Sequence, residues 1–286
     1  MSRTWFITGT SSGFGRQLTE QLLDRGERVA ATARRTDSLD DLADRYGDRL
    51  WRARLDVTDT AAMRAVVDRA FAELGRVDVV VSNAGYGLFG APEELTDAQI
   101  DRQIATNLTA SIQLARAATP HLRRQGGGRY IQVASIGGQI AFPAMSLYHA
   151  TKWGIEGFWE SSAPELAPFG IHVTIVEPGV ARTGFGVSNS TLAAPMPEYA
   201  DGPSGLLRRM LSGELPPLPA PGDPVKIAAA IIASADQPNP PLRLTLGSDA
   251  YTQATAALRG RLDALYAGRD LAFSTDADDV AVLATI

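Results

Sequence analysis

Short apolar runs alternate with longer amphipathic stretches along most of the chain. The runs are rich in Val, Ile and Ala and lie between glycines and polar residues, which is typical of strands buried on both faces of a sheet. In the stretches between them, apolar residues recur at helical spacing. The pattern therefore predicts strands at residues 5–8, 28–33, 51–57, 77–81, 130–135, 172–177 and 242–246, and helices at 15–25, 38–46, 61–74, 101–124, 146–166 and, more briefly, 204–211.

Strands that alternate with helices of this length predict an α/β fold, a Rossmann-type doubly wound parallel sheet with right-handed crossovers. The alternation ends after residue 183, and residues 184–224 are rich in Pro, Gly and Ser. Because a strand pattern returns at 242–246, we interpret this segment as an irregular loop over the ligand edge of the sheet, and not as a linker. Residues 248–286 form a C-terminal extension. The length of 286 residues favours a single domain over two.

Composition excludes several classes of function. The formal net charge is −5 and Lys and Arg form no block, so no nucleic-acid partner is expected. The chain has no cysteine, and its three histidines have no metal-ligand spacing, so we expect no disulfide, thiol nucleophile or metal. No apolar run approaches the roughly 20 residues that span a bilayer, and the N-terminus lacks a signal-peptide core. A cytoplasmic protein without membrane contact is expected.

A glycine-rich turn connects the first predicted strand to the first helix. Its residues are Thr8, Gly9, Thr10, Ser11, Ser12, Gly13, Phe14 and Gly15. Glycines let the backbone turn tightly against a pyrophosphate, while the helix N-terminus offers free N–H groups and a favourable dipole. The position between strand and helix favours a dinucleotide site over a tight turn without a ligand, and no Gly-Lys-Ser/Thr follows, which excludes a P-loop.

The second predicted strand ends in two arginines where many dinucleotide folds have a carboxylate. An Asp or Glu about 20 residues beyond the glycines usually binds the ribose hydroxyls of NAD(H), but here Arg34 and Arg35 follow the strand. Guanidinium groups pair with a 2′-phosphate, so we predict NADP(H) in preference to NAD(H). The alternative is that both arginines are merely solvated.

The third predicted strand ends in Asp56 and Val57. From the residues alone, Asp56 has two interpretations of equal weight. It can accept a hydrogen bond from the adenine amino group, or it can cap the helix that follows.

Three further residues are suited to acid–base chemistry. Tyr148 and Lys152 lie four residues apart in a predicted helix and therefore share a face. The pKa of a free tyrosine is about 10, and a nearby ammonium favours the phenolate, so the pair can exchange a proton with a substrate oxygen. Ser135 ends the preceding strand at the ligand edge, where its hydroxyl can polarise the same oxygen. The Tyr–Lys pair alone is a weak signal, and its combination with Ser135 and the glycine turn makes it specific.

Taken together, these motifs resemble the short-chain dehydrogenase/reductase family in its single-domain branch. The matches lie between residues 8 and 183, and residues 33–35 and 135–152 also resemble a hydroxysteroid-dehydrogenase-like branch. The matching residues are the glycine turn, Asp56, Val57, Asn83, Ala84, Gly85, Asn107, Ser135, Tyr148, Lys152, Pro178, Gly179 and Thr183.

The resemblance implies an enzyme that transfers a hydride between a nicotinamide and a ketone or secondary alcohol. It implies a catalytic tetrad of Asn107, Ser135, Tyr148 and Lys152, with Tyr148 as the acid/base. Ser135 would orient the carbonyl, Lys152 would lower the pKa of Tyr148 and bind the nicotinamide ribose, and Asn107 would anchor a water. The cofactor would also be lined by Asn83, Ala84 and Gly85, and its carboxamide held by Pro178, Gly179, Val180 and Thr183.

Two other classes of protein compete with this interpretation. A non-catalytic dinucleotide sensor could keep the fold, but it need not retain all the tetrad positions. A nucleotide-sugar epimerase or dehydratase of the longer branch also carries Tyr-x-x-x-Lys. The glycine spacing, the motif at residues 83–85 and the modest C-terminal region argue against that second class.

The substrate is expected at the carboxyl ends of the strands. Candidate contacts are Gly137, Gln139, Phe142, Met145 and Phe185. None is charged, and an unpartnered carboxylate or phosphate would be costly to bury among them. We therefore expect a neutral, hydrophobic ketone or secondary alcohol as the small-molecule substrate. Small and apolar residues around the helices at 101–124 and 146–166 predict a homodimer or homotetramer.

Overall fold

The computed structural model describes residues 2–185, 190–217 and 219–277. Seven parallel strands form the central sheet in the order β3-β2-β1-β4-β6-β7-β9, and a separate parallel pair joins β5 to β8. The predicted fold class and the seven predicted strands are confirmed, with strand ends that shift by up to three residues. The strands are β1 (Thr4–Thr8), β2 (Arg28–Ala33), β3 (Leu50–Arg54), β4 (Val79–Ser82), β5 (Gly87–Phe89), β6 (Gly128–Val133), β7 (Ile171–Pro178), β8 (Ser190–Leu192) and β9 (Arg243–Leu246).

Helices cover both faces of the sheet. One face packs against α1, α2 and α8, and the other against α3, α5 and α6. The helices are α1 (Gly13–Asp24), α2 (Asp40–Tyr46), α3 (Thr60–Leu74), α4 (Asp97–Ile104), α5 (Ala110–Arg124), α6 (Ser146–Leu166), α7 (Pro203–Leu211), α8 (Pro224–Asp236), α9 (Ser248–Ala267) and α10 (Arg269–Phe273).

Alternate residues of the central strands supply the two cores. Phe6 and Val80 belong to the core beneath α3, α5 and α6, whereas their neighbours Ile7 and Val79 belong to the core beneath α1 and α8. Successive side chains of a strand point to opposite faces, so a strand covered on both faces favours apolar residues at every interior position. This is why residues 5–7 of β1 and 79–81 of β4 are unbroken apolar runs.

Strand order reverses between β1 and β4. The chain runs from β1 outward to β2 and β3 on one side, and β4, β6, β7 and β9 lie on the other. Ligands bind in open α/β sheets at the crevice that such a reversal leaves beyond the carboxyl ends of the strands. The glycine turn follows β1 and residues 83–85 follow β4, so both motifs lie at this crevice.

The helix predicted at 101–124 is not continuous. It begins earlier, at Asp97, where Thr96 and Gln99 cap it reciprocally, and a π-helical turn over Ala105–Thr109 separates α4 from α5. A π turn inserts one residue into the helical repeat, which turns the side chains within it away from the regular faces. Asn107 lies in the middle of this turn.

The chain after residue 183 is more regular than predicted. The short helix expected at 204–211 is confirmed as α7, but β8, α8, α9 and α10 lie outside the predicted elements. Asp223 starts α8 by accepting hydrogen bonds from the main chain of Val225, at 2.8 Å, and of Lys226. Among the described residues, no helix is long and apolar enough to cross a membrane. The cellular compartment stays a prediction.

Candidate active site

The glycine turn has the backbone that its sequence requires. Gly9 and Gly13 adopt φ values of 72° and 56°, a region that favours glycine. Gly15 is a glycine for a different reason, because a Cβ there would lie closer than 3.0 Å to the carbonyl oxygen of Gly9 and 2.5 Å from Nδ2 of Asn83. The turn therefore packs backbone against backbone, which leaves the N-terminus of α1 open to a ligand.

Asn83 holds the glycine turn against β4. Its Nδ2 donates to the carbonyl oxygens of Thr8 (2.8 Å) and Gly9 (3.0 Å). The main-chain N–H groups of Asn83 and Ala84 both donate to the Thr8 hydroxyl, at 3.0 and 3.2 Å. The structure thus joins the motif at 83–85 to the turn at 9–15, as the resemblance implies for a common cofactor site.

Arg34 and Arg35 are exposed at the carboxyl end of β2, beside this turn. Across the described residues, neither guanidinium takes part in an ion pair. Most of the other arginines near α1 and α2 are paired with carboxylates, for example Arg16 with Asp41. Two exposed arginines without a salt bridge to any described residue therefore lie at the carboxyl end of β2, beside the glycine turn.

Asp56 does not cap the next helix, so one of its two interpretations is wrong. Asp59 caps α3 by accepting from the main chain of Ala62 at 2.9 Å. The Asp56 carboxylate instead accepts from the hydroxyl (2.7 Å) and N–H (3.0 Å) of Thr58. These bonds lower the pKa of Asp56 below its ordinary value and keep it ionised at the end of β3. The adenine-acceptor interpretation stays a prediction.

The segment after β7 approaches the glycine turn. A Cβ on Gly13 would lie 4.0 Å from Cβ of Thr183, so the two ends of the predicted cofactor site meet. A residue missed by the sequence analysis holds this segment: Asp249, in the first turn of α9, accepts from the N–H of Val180 at 2.8 Å. Gly179 leaves the space for that carboxylate, because a Cβ there would lie closer than 3.0 Å to it.

Ser135, Tyr148 and Lys152 come together at the carboxyl end of β6. The Ser135 hydroxyl is hydrogen-bonded to the Tyr148 phenol and also accepts from the N–H of Gly137 at 3.0 Å. Nζ of Lys152 lies 5.6 Å from the centre of the Tyr148 ring and donates to the carbonyl oxygen of Val133 at 3.0 Å. Tyr148 and Lys152 are both buried.

Burial determines the ionisation of this pair. It raises the pKa of Tyr148 to about 12, although the hydrogen bond from Ser135 acts in the opposite direction. Burial also lowers the pKa of Lys152 to about 8, opposed by the charge of Glu156. The expected lowering of the Tyr148 pKa by Lys152 is therefore not found, because loss of solvation raises this pKa more than the hydrogen bond from Ser135 lowers it. At neutral pH the phenol keeps its proton.

Asn107 is buried in the π turn and binds the backbone that follows β4. Its Nδ2 donates to the carbonyl oxygen of Tyr86 at 2.8 Å, and its Oδ1 accepts from the N–H of Tyr86 at 3.1 Å. A Cβ on Gly85 would lie 3.3 Å from the same Oδ1. The side chain of Asn107 is thereby committed to the segment at 85–86, and the π turn is what directs it there.

His149 holds the loop after Ser135, a role that the sequence analysis did not foresee. The N–H of Phe142 donates to Nε2 of His149 at 2.9 Å, so Nε2 is the acceptor and Nδ1 carries the proton, donating to the carbonyl oxygen of Gly137 at 2.9 Å. Burial lowers the pKa of His149, which keeps the ring neutral. The neutral ring therefore bridges both ends of residues 137–142.

The candidate substrate contacts divide into two groups. The ring centre of Phe185 lies 5.4 Å from that of Tyr148, and Met145 directly precedes the helix that carries Tyr148. Phe142 is 42% exposed at the rim of the same loop. Gln139 points elsewhere, because its amide donates to Glu156 and, at 3.4 Å, to Glu177. The side-chain amide of Gln139 is thus hydrogen-bonded to buried carboxyl groups beneath the loop after Ser135.

A narrow gap, too small to hold a water molecule, lies between α7 and the β5–β8 pair. It is lined by Phe89, Gly90, Ala144, Leu192, Ser204, Leu207 and Arg208. Arg208 is the charged member of this lining, and it pairs at 2.6 Å with the buried Glu94. The rings of Phe185 and Phe89, whose centres are 6.2 Å apart, form apolar walls in this region. The positive charge of Arg208 is neutralised there by Glu94.

The described residues fit a dinucleotide. Gly9 and Gly15 have no room for a Cβ, the first turn of α1 contains no acidic residue, and exposed arginines follow β2. These features match the pyrophosphate of a dinucleotide and, beyond it, the adenosine ribose. The remaining end of the crevice leads to Tyr148 and Lys152.

This crevice, with a Ser–Tyr–Lys cluster at its end, defines a class of dehydrogenases. A family model described as short chain dehydrogenase matches residues 3–191. The chain belongs to the short-chain dehydrogenase family, and it is accordingly an oxidoreductase with a nicotinamide cofactor and a small-molecule substrate.

Three similar proteins place the chain within this family. The solved structure of a short-chain dehydrogenase from Streptomyces avermitilis is 40% identical, covers 96% of this chain and 98% of its own, and has a TM-score of 0.88. Oxidoreductase BOA17 of Botryotinia fuckeliana (strain B05.10) is 35% identical over 90% of this chain and 93% of its own length. The 17-beta-hydroxysteroid dehydrogenase type 1 of Homo sapiens is 34% identical over 65% of this chain and 59% of its own.

Proposed function

We propose that the protein is an NADPH-dependent reductase of neutral, hydrophobic ketones, with Tyr148 as the acid/base. The observation that carries this proposal is the Tyr148 phenol, buried and hydrogen-bonded to Ser135 beside Lys152 at the end of the crevice. A phenol with a pKa of about 12 is protonated at neutral pH and is therefore ready to donate, which suits reduction.

When bound, the nicotinamide supplies the hydride. The chain's own residues then handle the proton and the orientation of the carbonyl. Ser135 and Tyr148 both donate to the carbonyl oxygen, and Tyr148 transfers its proton as negative charge develops there. Lys152 in its ammonium form stabilises the resulting phenolate and binds the nicotinamide ribose. The two hydrogen bonds between the Asn107 side chain and Tyr86 fix Asn107 in the π turn, from which its main chain would anchor a water on the path by which Tyr148 recovers a proton.

The preference for NADPH is proposed from Arg34 and Arg35, which are exposed and without ion pairs in the described part of the chain. A charge-assisted contact is worth roughly 1.5–3 kcal/mol, about ten- to a hundredfold in affinity. Arg34→Asp is therefore expected to lower kcat/KM for NADPH by about that factor and to affect NADH much less. Steady-state assays with both cofactors measure the ratio, and Arg259→Asp on the exposed side of α9 is the control. Equal efficiency of the wild type with both cofactors would contradict the proposal.

The neutral ketone is proposed from the apolar walls near Phe185 and from the Arg208–Glu94 pair, which leaves no net charge for an anionic substrate. The name of the human relative, a hydroxysteroid dehydrogenase, is consistent with a bulky apolar substrate. An apolar ketone gains about 25 cal/mol per Å² of surface removed from water.

The experiment that tests the proposed function follows NADPH absorbance with a matched panel of neutral aryl ketones and keto acids of similar size. The ketones are expected to have the higher kcat/KM. A consistent preference for the keto acids would overturn the substrate class, and no turnover of any carbonyl compound would favour a sensor over an enzyme.

Two further proposals concern organisation. We infer that residues 1–286 form one domain, because β9 pairs with β7 and α8 packs against α1 after the long loop. We also propose a homodimer or homotetramer. Its support is the exposure of Ile104 on α4 and Trp153 on α6, which are 37% and 43% accessible.

A further inference from the structure

A cluster of charged side chains lies beneath the loop that follows Ser135. It consists of Glu156 and Glu160 from α6, Glu177 from β7 and Arg243 from β9, and we refer to it as the carboxylate cluster. The Arg243 guanidinium pairs with Glu156 and Glu177 and, at 2.8 Å, with Glu160. The side chains of Glu156 and Glu177 are only 2% and 3% exposed, whereas that of Glu160 is 55% exposed.

The carboxylate cluster contains more carboxyl groups than positively charged groups. One guanidinium faces three carboxyl groups, and the other polar neighbours are neutral: Gln139 donates to Glu156, and the Thr245 hydroxyl donates to Glu177 at 2.8 Å. Two buried carboxylates beside one guanidinium leave an uncompensated negative charge, which is costly to bury and favours a proton on one of them. Burial raises the pKa of Glu156 to about 7, and the charge of Glu177 adds to this rise, while Arg243 opposes it.

Glu156 also contacts the turn at residues 136–138, which directly follows Ser135. Its Oε1 is buried and has no hydrogen-bond partner among the described residues. That atom lies against Gly138, where a Cβ would come closer than 3.0 Å to it. Glycine at this position allows the carboxyl group to reach the backbone of the turn at 136–138, which includes the N–H donor to Ser135.

Helical spacing connects Glu156 to the proposed catalytic pair. Tyr148, Lys152 and Glu156 lie on successive turns of α6 and share one face. A negative charge at Glu156 favours the ammonium form of Lys152, and it raises the pKa of Lys152 against the effect of burial. Glu156 loses its proton over the pH range in which Lys152 would begin to lose its own.

We propose that Glu156 is a positioning residue that keeps Lys152 in its ammonium form as the pH rises, and thereby sets the alkaline limit of the reaction. The groups that face it are Lys152 and Glu160 on α6, Glu177 on β7, Arg243 on β9 and the amide of Gln139. This inference rests on the proposed function, since it assigns Lys152 to the reaction.

The test is the pH profile of kcat/KM for reduction of α-tetralone, a neutral aryl ketone, by NADPH. Glu156→Gln keeps the shape and hydrogen-bonding atoms of the side chain but cannot ionise. Its alkaline limb is expected to move to lower pH by roughly half a unit to one unit, the size of shift that one nearby charge produces. Glu160→Gln is the matched control, because this exposed residue lies on the same helix and pairs with the same arginine; its profile should coincide with that of the wild type.

Thermal stability gives a readout that does not depend on turnover. The pKa of Glu156 is raised by folding, so the folded state binds more protons and stability falls as the pH rises from the unfolded pKa to about 7. The Tm advantage of Glu156→Gln over the wild type should therefore be larger at about pH 8 than at about pH 5. Glu177→Gln removes a charge that raises the folded-state pKa of Glu156, so the decline of its Tm should be smaller than in the wild type and should end at lower pH.

Several outcomes would overturn the inference. These are an alkaline limb of Glu156→Gln that matches the wild type, an equal shift in Glu160→Gln, or an equal shift in Glu156→Asp, which retains the carboxyl group. If Glu156→Gln does not fold, a Tm decline in Glu177→Gln of the same size and the same upper end as in the wild type has the same meaning. Failure of the proposed function is distinguished by the wild type, which would then not oxidise NADPH with α-tetralone or any other ketone at any pH.

Discussion

Replacement of Tyr148 by phenylalanine is expected to lower kcat for ketone reduction by about a hundredfold or more, because loss of a general acid typically costs that much in rate. The ring is buried beside Phe185 and Lys152, and phenylalanine preserves those contacts. The expected change therefore concerns the proton and not the packing. KM for NADPH should change little. Stopped-flow or steady-state measurement of NADPH oxidation at saturating ketone gives the rate.

Tyr251→Phe is the matched control for this prediction. Tyr251 is 69% exposed on α9, and loss of its hydroxyl should leave kcat unchanged. Near wild-type turnover by Tyr148→Phe would show that another group donates the proton and that the proposed tetrad is wrong. Circular dichroism of both variants establishes that they are folded.

Gly15→Ala is expected to weaken NADPH binding by about a hundredfold, since overpacking of this kind costs up to about 3 kcal/mol. The added methyl group would collide with the carbonyl oxygen of Gly9 and with the amide of Asn83. Both belong to the hydrogen-bonded contact between the glycine turn and the segment after β4. Relief of the collision must move the backbone that approaches the pyrophosphate. Titration of NADPH fluorescence measures the dissociation constant.

Gly157→Ala serves as the control for glycine replacement. A Cβ at Gly157 would meet nothing within 4 Å, and the residue is exposed in α6. Alanine there should leave NADPH binding intact and stabilise the helix by about 1 kcal/mol. Wild-type affinity in Gly15→Ala would contradict the assignment of this turn to the cofactor.

The sheet and most of the proposed site could be predicted because both follow from local sequence. A strand covered on both faces must be a short apolar run, and a residue directly after such a run must lie at the carboxyl edge. Arg34 and Asn83 directly follow β2 and β4, and Ser135 lies two residues beyond β6, so adjacency to a strand was enough to bring them to one crevice.

The parts that could not be predicted depend on distant contacts or on small departures from regular geometry. The π turn at Asn107 inserts one residue into a stretch whose apolar spacing reads as a continuous helix. The strands β5 and β8 are three residues long and pair across about a hundred residues of chain. Gln139 is directed downward by Glu156 and Glu177, and nothing in its local sequence indicates those carboxylates.

Other elements had a signal that the sequence analysis did not use. Asp223 followed by Pro224 is a typical helix start, with a capping side chain and proline in the first turn. The residues after it, including Ile227 and Ile231, recur at helical spacing and are buried against α1. The composition of the preceding segment, rich in Pro and Gly, obscured this helix.

The β5–β8 pair is held together by its main chain, whereas the surface that it presents near Phe185 is determined by its side chains. Main-chain pairing sets Leu88 opposite Thr191 and Phe89 opposite Leu192, and it does not depend on the identity of those side chains. Gly87 is the exception, because it has no room for a Cβ. After gene duplication, descendants of this enzyme can therefore substitute the other residues of β5 and β8 and retain the strand pair. New substrate ranges can evolve here without a new fold.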